Sequence, residues 1–462
     1  MSILGAFMVP HPPLIIPEIG KGEENKISAT IDSYRQVAKK IAKLKPETII
    51  VASPHATIYS DYFHISPGKM AKGDMSRFGA EDVFFGVDYD NDFVVELFKE
   101  AAANGFPAGT FGENDPSLDH GTLIPLYFIS QEYSDFNLVR IGLSGLDYAE
   151  HYRLGAMIKS ISETMNRRVV FIASGDMSHK LIENGPYGFN EMGPVYDNSV
   201  IEIMKAAEFD KLISLNTTMC ESAGECGQRS FCIMAGTLDR TDVKADVLSY
   251  EGPFGVGYGV ASFIPLNGND DRCFYDKWLE EHRRELAERQ AKEDEYVALA
   301  RRSLNEFINN DKIITADDSI SSELTNNRAG VFVSLHLNGS LRGCIGTINP
   351  VQKNIAEEII GNAIAAGVRD PRFMPVTMRE LEELEISVDV LSEAEPIDDK
   401  SLLDVKKYGV IVRQGDKQGL LLPNLDGVDT VDKQLEIALS KACIDTASKD
   451  YSMLRFEVVR HY

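Results

Sequence analysis

The chain has 462 residues, with 47 lysines and arginines against 71 aspartates and glutamates, so its formal net charge is −24. Nucleic-acid backbones and anionic membranes both bind basic surfaces, so neither is an expected partner. The length predicts more than one domain, and no segment reaches the roughly 18 uninterrupted apolar residues of a membrane-spanning helix. The six cysteines are sparse and show no zinc-type Cys-x-x-Cys pair, which predicts a cytoplasmic protein.

The first part of the chain alternates apolar strand patterns with amphipathic helix patterns. Such alternation predicts an α/β domain over residues 1–267, with a central sheet flanked by helices. The predicted elements are strands at 3–9, 48–53, 137–143, 168–174, 245–250 and 257–264, and helices near 25–44, 91–104, 149–166, 195–207 and 226–238.

A polar stretch at 267–274 predicts the boundary to a second domain over residues 275–462. A long, charge-rich helix is predicted from Tyr275 to about Asn309. The mixture of elements that follows predicts an α+β domain. Its predicted elements are strands at 330–337, 385–391 and 408–413 and a helix near 351–366.

Three histidines of the first domain follow apolar strand patterns: His11, His55 and His179. Ligand sites in open α/β sheets lie beyond the carboxyl ends of the strands, so these imidazoles are expected to converge. His120, in the string Asp-His-Gly, is expected to join them. Converging neutral imidazoles and a carboxylate are one way in which proteins hold a redox-active metal.

The expected third ligand is the carboxylate of Glu225. The string Gly-Glu-Cys-Gly opens an apolar helix pattern, and this would fix the carboxylate in a glycine-flanked turn at a helix N-terminus. Three further candidates stay open from the sequence alone, the thiol of Cys226 and the carboxylates of Glu221 and Glu251.

Four strings occur in the order Pro-His-Pro-Pro, Ser-Pro-His, Asp-His-Gly-Thr-Leu-Ile-Pro-Leu and Ser-Gly-Asp-Met-Ser-His. In this order they resemble the class III extradiol dioxygenase family of LigB type, which includes the Memo proteins, over roughly residues 1–265. The resemblance places the family's metal-binding residues on His11, His55 and Glu225, its acid/base histidine on His179 and a second pocket histidine on His120.

In the Memo branch a cysteine precedes a glycine at the position of the glutamate, and that cysteine would match Cys226. The resemblance implies an Fe(II)-dependent extradiol dioxygenase that acts with O₂ on a catechol-like or related small aromatic substrate, with zinc as the alternative metal. The alternative function is a metal-binding scaffold of a radical-SAM-associated modification system without dioxygenase activity.

The roles that the resemblance implies for the histidines follow ordinary proton chemistry. His179 would accept and return a proton, since the unperturbed pKa of histidine is about 6.5. His120 would donate a hydrogen bond to bound oxygen or substrate. Asp176 and Ser178 would orient His179.

Residues 275–462 resemble the AMMECR family. The resemblance rests on the strings Leu-Arg-Gly-Cys-Ile-Gly, Arg-Asp-Pro-Arg-Phe-Met-Pro-Val and Gly-Leu-Leu-Leu-Pro. The pairing of both domains resembles the AmmeMemoRadiSam system, which implies association with a Memo-like protein and a radical SAM protein. Cys344 is either a small buried hydrophobic residue or a reactive or ligand-contacting thiol. The arginines of these strings would supply an anion site beside it. The candidate residues of that site are Arg342, Cys344, Arg369 and Arg372.

Overall fold

The computed structural model describes residues 2–113, 115–337, 340–378, 380–425, 427–446, 448 and 450–462. The chain divides into two compact units, Met1–Glu281 and His282–Tyr462. The boundary predicted at 267–274 lies earlier than this division, which falls inside a helix, Phe274–Gln290. No helix of the described residues combines the length and the apolar character needed to cross a bilayer.

The first unit contains ten strands and nine complete α-helices in the described residues, and a tenth helix begins in it. The strands are β1 (Ile3–Val9), β2 (Thr48–Ser53), β3 (Phe63–His64), β4 (Met70–Met75), β5 (Ala80–Asp88), β6 (Ala108–Gly109), β7 (Asn137–Gly142), β8 (Val169–Ser174), β9 (Thr241–Glu251) and β10 (Tyr258–Gly268). The helices are α1 (Pro17–Gly20), α2 (Ser28–Leu44), α3 (Asn91–Ala103), α4 (His120–Ile129), α5 (Tyr148–Thr164), α6 (Met192–Ala206), α7 (Asp210–Ile213), α8 (Thr217–Ala223), α9 (Gln228–Thr237) and α10 (Phe274–Gln290).

A six-stranded sheet with the order β7-β2-β8-β1-β10-β9 forms the centre of this unit. The strands β7, β2, β8 and β1 run parallel, β10 is antiparallel to β1, and β9 is antiparallel to β10. Every residue of β2 and β8 is buried, as expected for parallel strands covered on both faces. The predicted α/β architecture, a central sheet flanked by helices, is confirmed.

Alternate residues of β8 enter two separate cores, because successive side chains of a strand point to opposite faces. Phe171 belongs to the core that also contains residues of α5 and α9. Ile172 belongs to the core that contains residues of α2 and α4. The sheet is therefore held between two helical layers, and the loops at its carboxyl edge start from a rigid base.

The second unit contains the strands β11 (Val331–Leu337), β12 (Ser340–Gly346), β13 (Glu385–Leu391), β14 (Glu395–Ile397), β15 (Tyr408–Gln414), β16 (Lys417–Leu421) and β17 (Ser452–His461). They form one antiparallel sheet of order β12-β11-β13-β17-β15-β16, with β14 also pairing with β17. Its helices are α11 (Glu295–Asn310), α12 (Ser322–Asn326), α13 (Ile355–Val368) and α14 (Val431–Lys441). This arrangement confirms the α+β prediction.

The single long helix predicted from Tyr275 to Asn309 is wrong, since the chain breaks it into α10 and α11. The Asp294 carboxylate accepts hydrogen bonds from the backbone N–H groups of Tyr296 and Val297 and so caps a new helix start. A capping aspartate satisfies N–H groups that a continuing helix would bond internally, so it favours a helix start at this point.

Candidate metal centre

The ends of three parallel strands bring the predicted histidines to one place. His11 follows β1, His55 follows β2 and His179 follows β8. The Nε2 atoms of His11 and His55 lie 3.0 Å apart, and Sγ of Cys226 lies 3.5 Å from Nε2 of His11. Nitrogen and sulfur ligands of one ion, at about 2.1 and 2.3 Å from it, are separated by about 3–3.6 Å. These three atoms therefore have the spacing of ligands to a common metal ion.

A hydrogen bond fixes the tautomer of His11. Its Nδ1 lies 3.0 Å from the hydroxyl of Ser174, and this hydroxyl donates to the carbonyl oxygen of Gly121 at 2.5 Å. The hydroxyl proton is thereby used, so the ring must donate from Nδ1 to the hydroxyl oxygen. The lone pair of His11 then sits on Nε2 and points toward His55 and Cys226, which is the form a metal ligand needs.

Asp176, His179 and Cys226 form a second, overlapping cluster, whose ligand-type atoms all lie within 4.8 Å of one another. Nε2 of His179 is buried and has no hydrogen-bond partner in the described part of the chain. Tyr187 stacks on the same ring at a centroid distance of 5.0 Å. An unpartnered buried nitrogen beside a candidate metal position is available for a substrate proton.

The expected orientation of His179 by Asp176 and Ser178 is not what the structure shows. The Asp176 carboxylate accepts the backbone N–H of His11 at 2.8 Å, and the Ser178 hydroxyl donates to the carbonyl oxygen of Ala223 at 2.9 Å. Both groups are thus used to hold the backbone around the centre. The ring of His179 is held by stacking on Tyr187 instead.

His120 joins the cluster from the first position of α4. Its ring centroid lies 4.0 Å from that of His55 and 5.4 Å from that of His11. Asp119 precedes it, and the Asp119 carboxylate caps α4 at Thr122 and accepts the hydroxyl of Ser53 at 2.5 Å. The end of β2 and the start of α4 are thereby tied together directly beside the centre.

Burial keeps these imidazoles neutral. It lowers the pKa of His11, His55 and His179, and it lowers that of His120 to about 4. Since a metal binds the neutral ring, the histidines need not lose protons when a cation arrives near neutral pH.

Glu225 lies beside the centre in sequence but outside this cluster. Its carboxylate accepts the backbone N–H of Gln228 at 2.6 Å, and burial raises its pKa to about 7. Among the described residues, Cys226 takes the position next to His11 that was expected for Glu225. The Glu225 carboxylate instead bonds a free N–H of the first turn of α9.

Glu251 and Glu221 are not members of this cluster among the described residues. Glu251 accepts hydrogen bonds from the backbone N–H and the hydroxyl of Thr30. Glu221 is exposed. Burial raises the pKa of the Cys226 thiol well above its usual range, and a bound cation would reverse that shift by stabilising the thiolate.

A cavity of about 730 Å³ adjoins His55 and His120. Phe78 and Phe84 supply apolar walls, and the buried Arg140 reaches its lining. The volume is within the range of small-molecule sites, about 300–1,000 Å³. The centre thus opens on a space suited to a small, partly apolar molecule.

The four candidate residues of the second unit are only partly brought together. Arg372 donates to the carbonyl oxygen of Cys344 at 3.3 Å, but its guanidinium also pairs with Asp370 and holds the pKa of that carboxyl well below its usual range. Arg342 pairs with Glu380 at 2.6 Å, and Arg369 makes no side-chain hydrogen bond or ion pair with these residues in the described chain. The predicted arginine site is therefore largely neutralised by carboxylates.

An α/β sheet with imidazoles and a thiol converging at the carboxyl edge of its strands defines an α/β protein with a candidate metal site. Residues 5–261 match the family described as the catalytic LigB subunit of aromatic ring-opening dioxygenase, and the chain belongs to this family. Residues 297–461 match the AMMECR1 family.

Similar proteins include one that matches the whole chain and others that match part of it. A protein of Clostridium acetobutylicum is 42% identical over all of this chain and 99% of its own length. A protein of Thermotoga maritima is 50% identical over 37% of this chain and 98% of its own length. Among solved structures, an uncharacterized protein from Pyrococcus horikoshii has 30% identity and a TM-score of 0.34, covering 36% of this chain and 88% of that one. None of these relatives carries the name of the AmmeMemoRadiSam system, so that finer resemblance stays a prediction.

Proposed function

We propose that the first unit is an Fe(II)-dependent oxidoreductase of extradiol type that acts with O₂ on a catechol-like or related aromatic substrate. The observation that carries the proposal is the convergence of Nε2 of His11, Nε2 of His55 and Sγ of Cys226 beside the unpartnered Nε2 of His179. The family match supports oxygen chemistry on an aromatic ring.

His11, His55 and Cys226 would hold the ion, with Asp176 within reach of the same position. The donor set fits a divalent cation, although a thiolate stands in the place that a carboxylate takes in the 2-His-1-carboxylate sites of non-haem iron enzymes. Bound Fe(II) would supply the Lewis acidity and the electron transfer that oxygen chemistry requires, whereas Zn²⁺ has no redox chemistry to offer.

The remaining residues act on the substrate. Burial lowers the pKa of His179, and its neutral ring would accept the proton of a substrate hydroxyl and later return it. His120, neutral as well, would donate a hydrogen bond to a substrate oxygen. Phe78 and Phe84 would contact the aromatic ring in the adjoining cavity.

The role of the second unit stays a separate proposal. The pairing of a LigB-type with an AMMECR domain supports association with a Memo-like protein and a radical SAM protein. Six free cysteines support a reducing, cytoplasmic location. The association is tested by purifying the tagged chain from its native host and looking for an iron–sulfur protein that co-purifies with it. Absence of any iron–sulfur protein from that preparation would contradict the association.

The test of the proposed function is metal analysis of anaerobically purified protein, followed by O₂ uptake of the Fe(II)-loaded chain with a panel of catechols. We expect about one iron per chain and uptake with at least one catechol. A His55→Gln variant, which removes one ligand nitrogen, is the matched control and is expected to show neither. Tight binding of zinc with no uptake across the panel would overturn the proposal in favour of a metal-binding scaffold.

A further inference from the structure

The second unit has a cavity of about 630 Å³ on one face of its sheet. On β11, Val331, Val333 and Leu335 are buried in the core beneath α11 and α13. The intervening residues Phe332 and Ser334 are half-buried and line the cavity on the opposite face. The cavity therefore occupies the face of the sheet that those helices leave uncovered, and its volume is that of a small-molecule site.

Three polar side chains cross the cavity as neighbours on adjacent strands. Ser334 on β11 pairs in register with Cys344 on β12 and with Ser387 on β13, and all three line the cavity. The Ser334 hydroxyl donates to Sγ of Cys344 at 3.2 Å. The thiol thus lies at the surface of the cavity, where a bound molecule would change its accessibility to a thiol reagent.

An apolar surface adjoins this row. Phe332, Leu420 and Leu422 are half-buried and line the cavity. The same three residues pack against a small core that contains Ile411 and Phe456, so they are held in place on one side and accessible on the other. Such a surface would bury the apolar part of a small ligand.

The charged side chains of the lining leave one unpaired cation among the described residues. Lys441 lines the cavity and has no hydrogen bond or ion pair with any other residue of the described chain. The remaining charges are neutralised in pairs, Arg372 with Asp370, Arg460 with Asp389, and Glu385 with Arg289. In a chain of net charge −24 this gives the cavity a local excess of one positive charge.

We propose that this cavity binds a small monoanion with an apolar body, of the class of short- to medium-chain carboxylates. Lys441 supplies the unpaired positive charge for the carboxylate. Phe332, Leu420 and Leu422 cover the apolar chain, and Cys344 lies against the bound molecule. The proposal concerns the second unit alone and holds whether or not the first unit is an oxygenase.

The test is protection of Cys344 in the full-length chain, measured by mass spectrometry during alkylation with iodoacetamide. Hexanoate is expected to slow alkylation of Cys344 at least about threefold, and hexanamide, its neutral counterpart, to protect less. Cys443 is exposed and outside the cavity, so its rate serves as the internal control. Equal protection by both compounds, or equal slowing of Cys443, would overturn the anion site.

A pair of lysine variants isolates the charge. Lys441→Gln should remove the advantage of hexanoate over hexanamide, whereas Lys406→Gln, an exposed lysine outside the cavity, should leave it unchanged. Equilibrium dialysis of labelled hexanoate against the same proteins gives the comparison without using the thiol. No retention by the unmodified chain, or equal retention by Lys441→Gln, contradicts the proposal.

Discussion

Gly175 and Gly227 meet backbone to backbone, and a Cβ built on Gly175 would lie 2.2 Å from Cα of Gly227. This approach joins the loop after β8 to the turn before α9. It lets the backbone N–H of Asp176 reach Sγ of Cys226 at 3.2 Å, and the N–H of Cys226 reach the carbonyl oxygen of Asp176 at 3.3 Å. The position of the thiol therefore depends on two residues that have no side chain.

Gly175→Ala is expected to weaken metal binding without touching a ligand. The methyl group would meet backbone, which cannot move aside as a flexible side chain can, so the Cys226 turn must shift away from His11. Gly86→Ala is the matched control, because its Cβ would meet only ordinary contacts at 3.9 Å. The measurement is metal content after dialysis against a chelator. Equal retention by both variants contradicts this account of the thiol.

A pair of substitutions decides between the two neighbouring candidates for the third ligand. Cys226→Ser should lower metal affinity by more than the roughly 10–100-fold that outer-shell changes cost, because it removes a ligand atom. Glu225→Gln should retain the metal, since an amide oxygen still accepts the N–H of Gln228. Competition with a chromophoric chelator measures both affinities. A larger loss of metal affinity in Glu225→Gln than in Cys226→Ser would identify Glu225 as the third ligand.

Ser174→Ala removes the acceptor that holds the His11 tautomer. We expect metal affinity to fall about 10–100-fold, with the fold retained, because the ring can then rotate or place its proton on Nε2. Ser199→Ala provides the control, because Ser199 is half-buried on α6 away from the histidines and its hydroxyl donates to the carbonyl oxygen of Val195. If the two variants bind metal equally well, the orientation of His11 does not depend on Ser174.

His179→Ala should separate metal binding from turnover. The variant keeps His11, His55 and Cys226, so its metal content should equal that of the unmodified chain. Its O₂ uptake with an accepted catechol should fall about 10²–10⁴-fold, the usual contribution of a general acid–base group. His336→Ala, in the second unit, is the control. Unchanged O₂ uptake by His179→Ala would show that His179 is not the acid/base group.

A buried histidine away from the centre should make the first unit less stable in acid. Burial lowers the pKa of His151 to about 3, and its ring accepts the N–H of Ser144 and donates to the carbonyl oxygen of Asp147. The unfolded chain binds a proton near pH 6.5, at about the unperturbed pKa of histidine, whereas the folded chain does not bind it until about pH 3. The stabilising contribution is therefore complete above pH 6.5 and is lost progressively as the pH falls toward 3.

Urea unfolding of the unmodified chain and of His151→Gln between about pH 7.5 and 4.5 measures this contribution. The stability advantage of the unmodified chain over the variant should shrink with falling pH. A constant difference across this range would show that His151 does not titrate between the two states.

The pattern of apolar residues in the sequence is sufficient to predict the strands of the central sheet of the first unit. The runs around Val51 and Phe171 are continuously apolar because both faces of those strands are covered, and their ends place His55 and His179 correctly. The sequence does not indicate the hairpin of β4 and β5, because the buried residues of β4, which alternate strictly, include only one large apolar side chain. The break before α11 was missed because Asp294 reads as one more charged residue in a charge-rich helix.

The choice between Glu225 and Cys226 shows what sequence alone could not resolve. Both residues lie in one glycine-flanked turn, and a single peptide unit decides which side chain faces His11. That choice depends on the contact of Gly175 with Gly227, which joins segments far apart in the chain. The roles of Ser174 and Tyr187 depend equally on contacts across the fold, and neither residue carries a local signal.

The strand that carries His11 lies between β8 and β10 and is hydrogen-bonded along both edges, whereas Cys226 is carried by a turn. Amide protons of an interior strand exchange only through openings that approach global unfolding, but a turn opens at a small fraction of that free energy. We therefore expect an arriving cation to meet the His11 imidazole already in place, and we expect the thiol to be the last of this pair to bind and the first to release. Loading and loss of the metal should follow the opening rate of that turn rather than the lifetime of the fold.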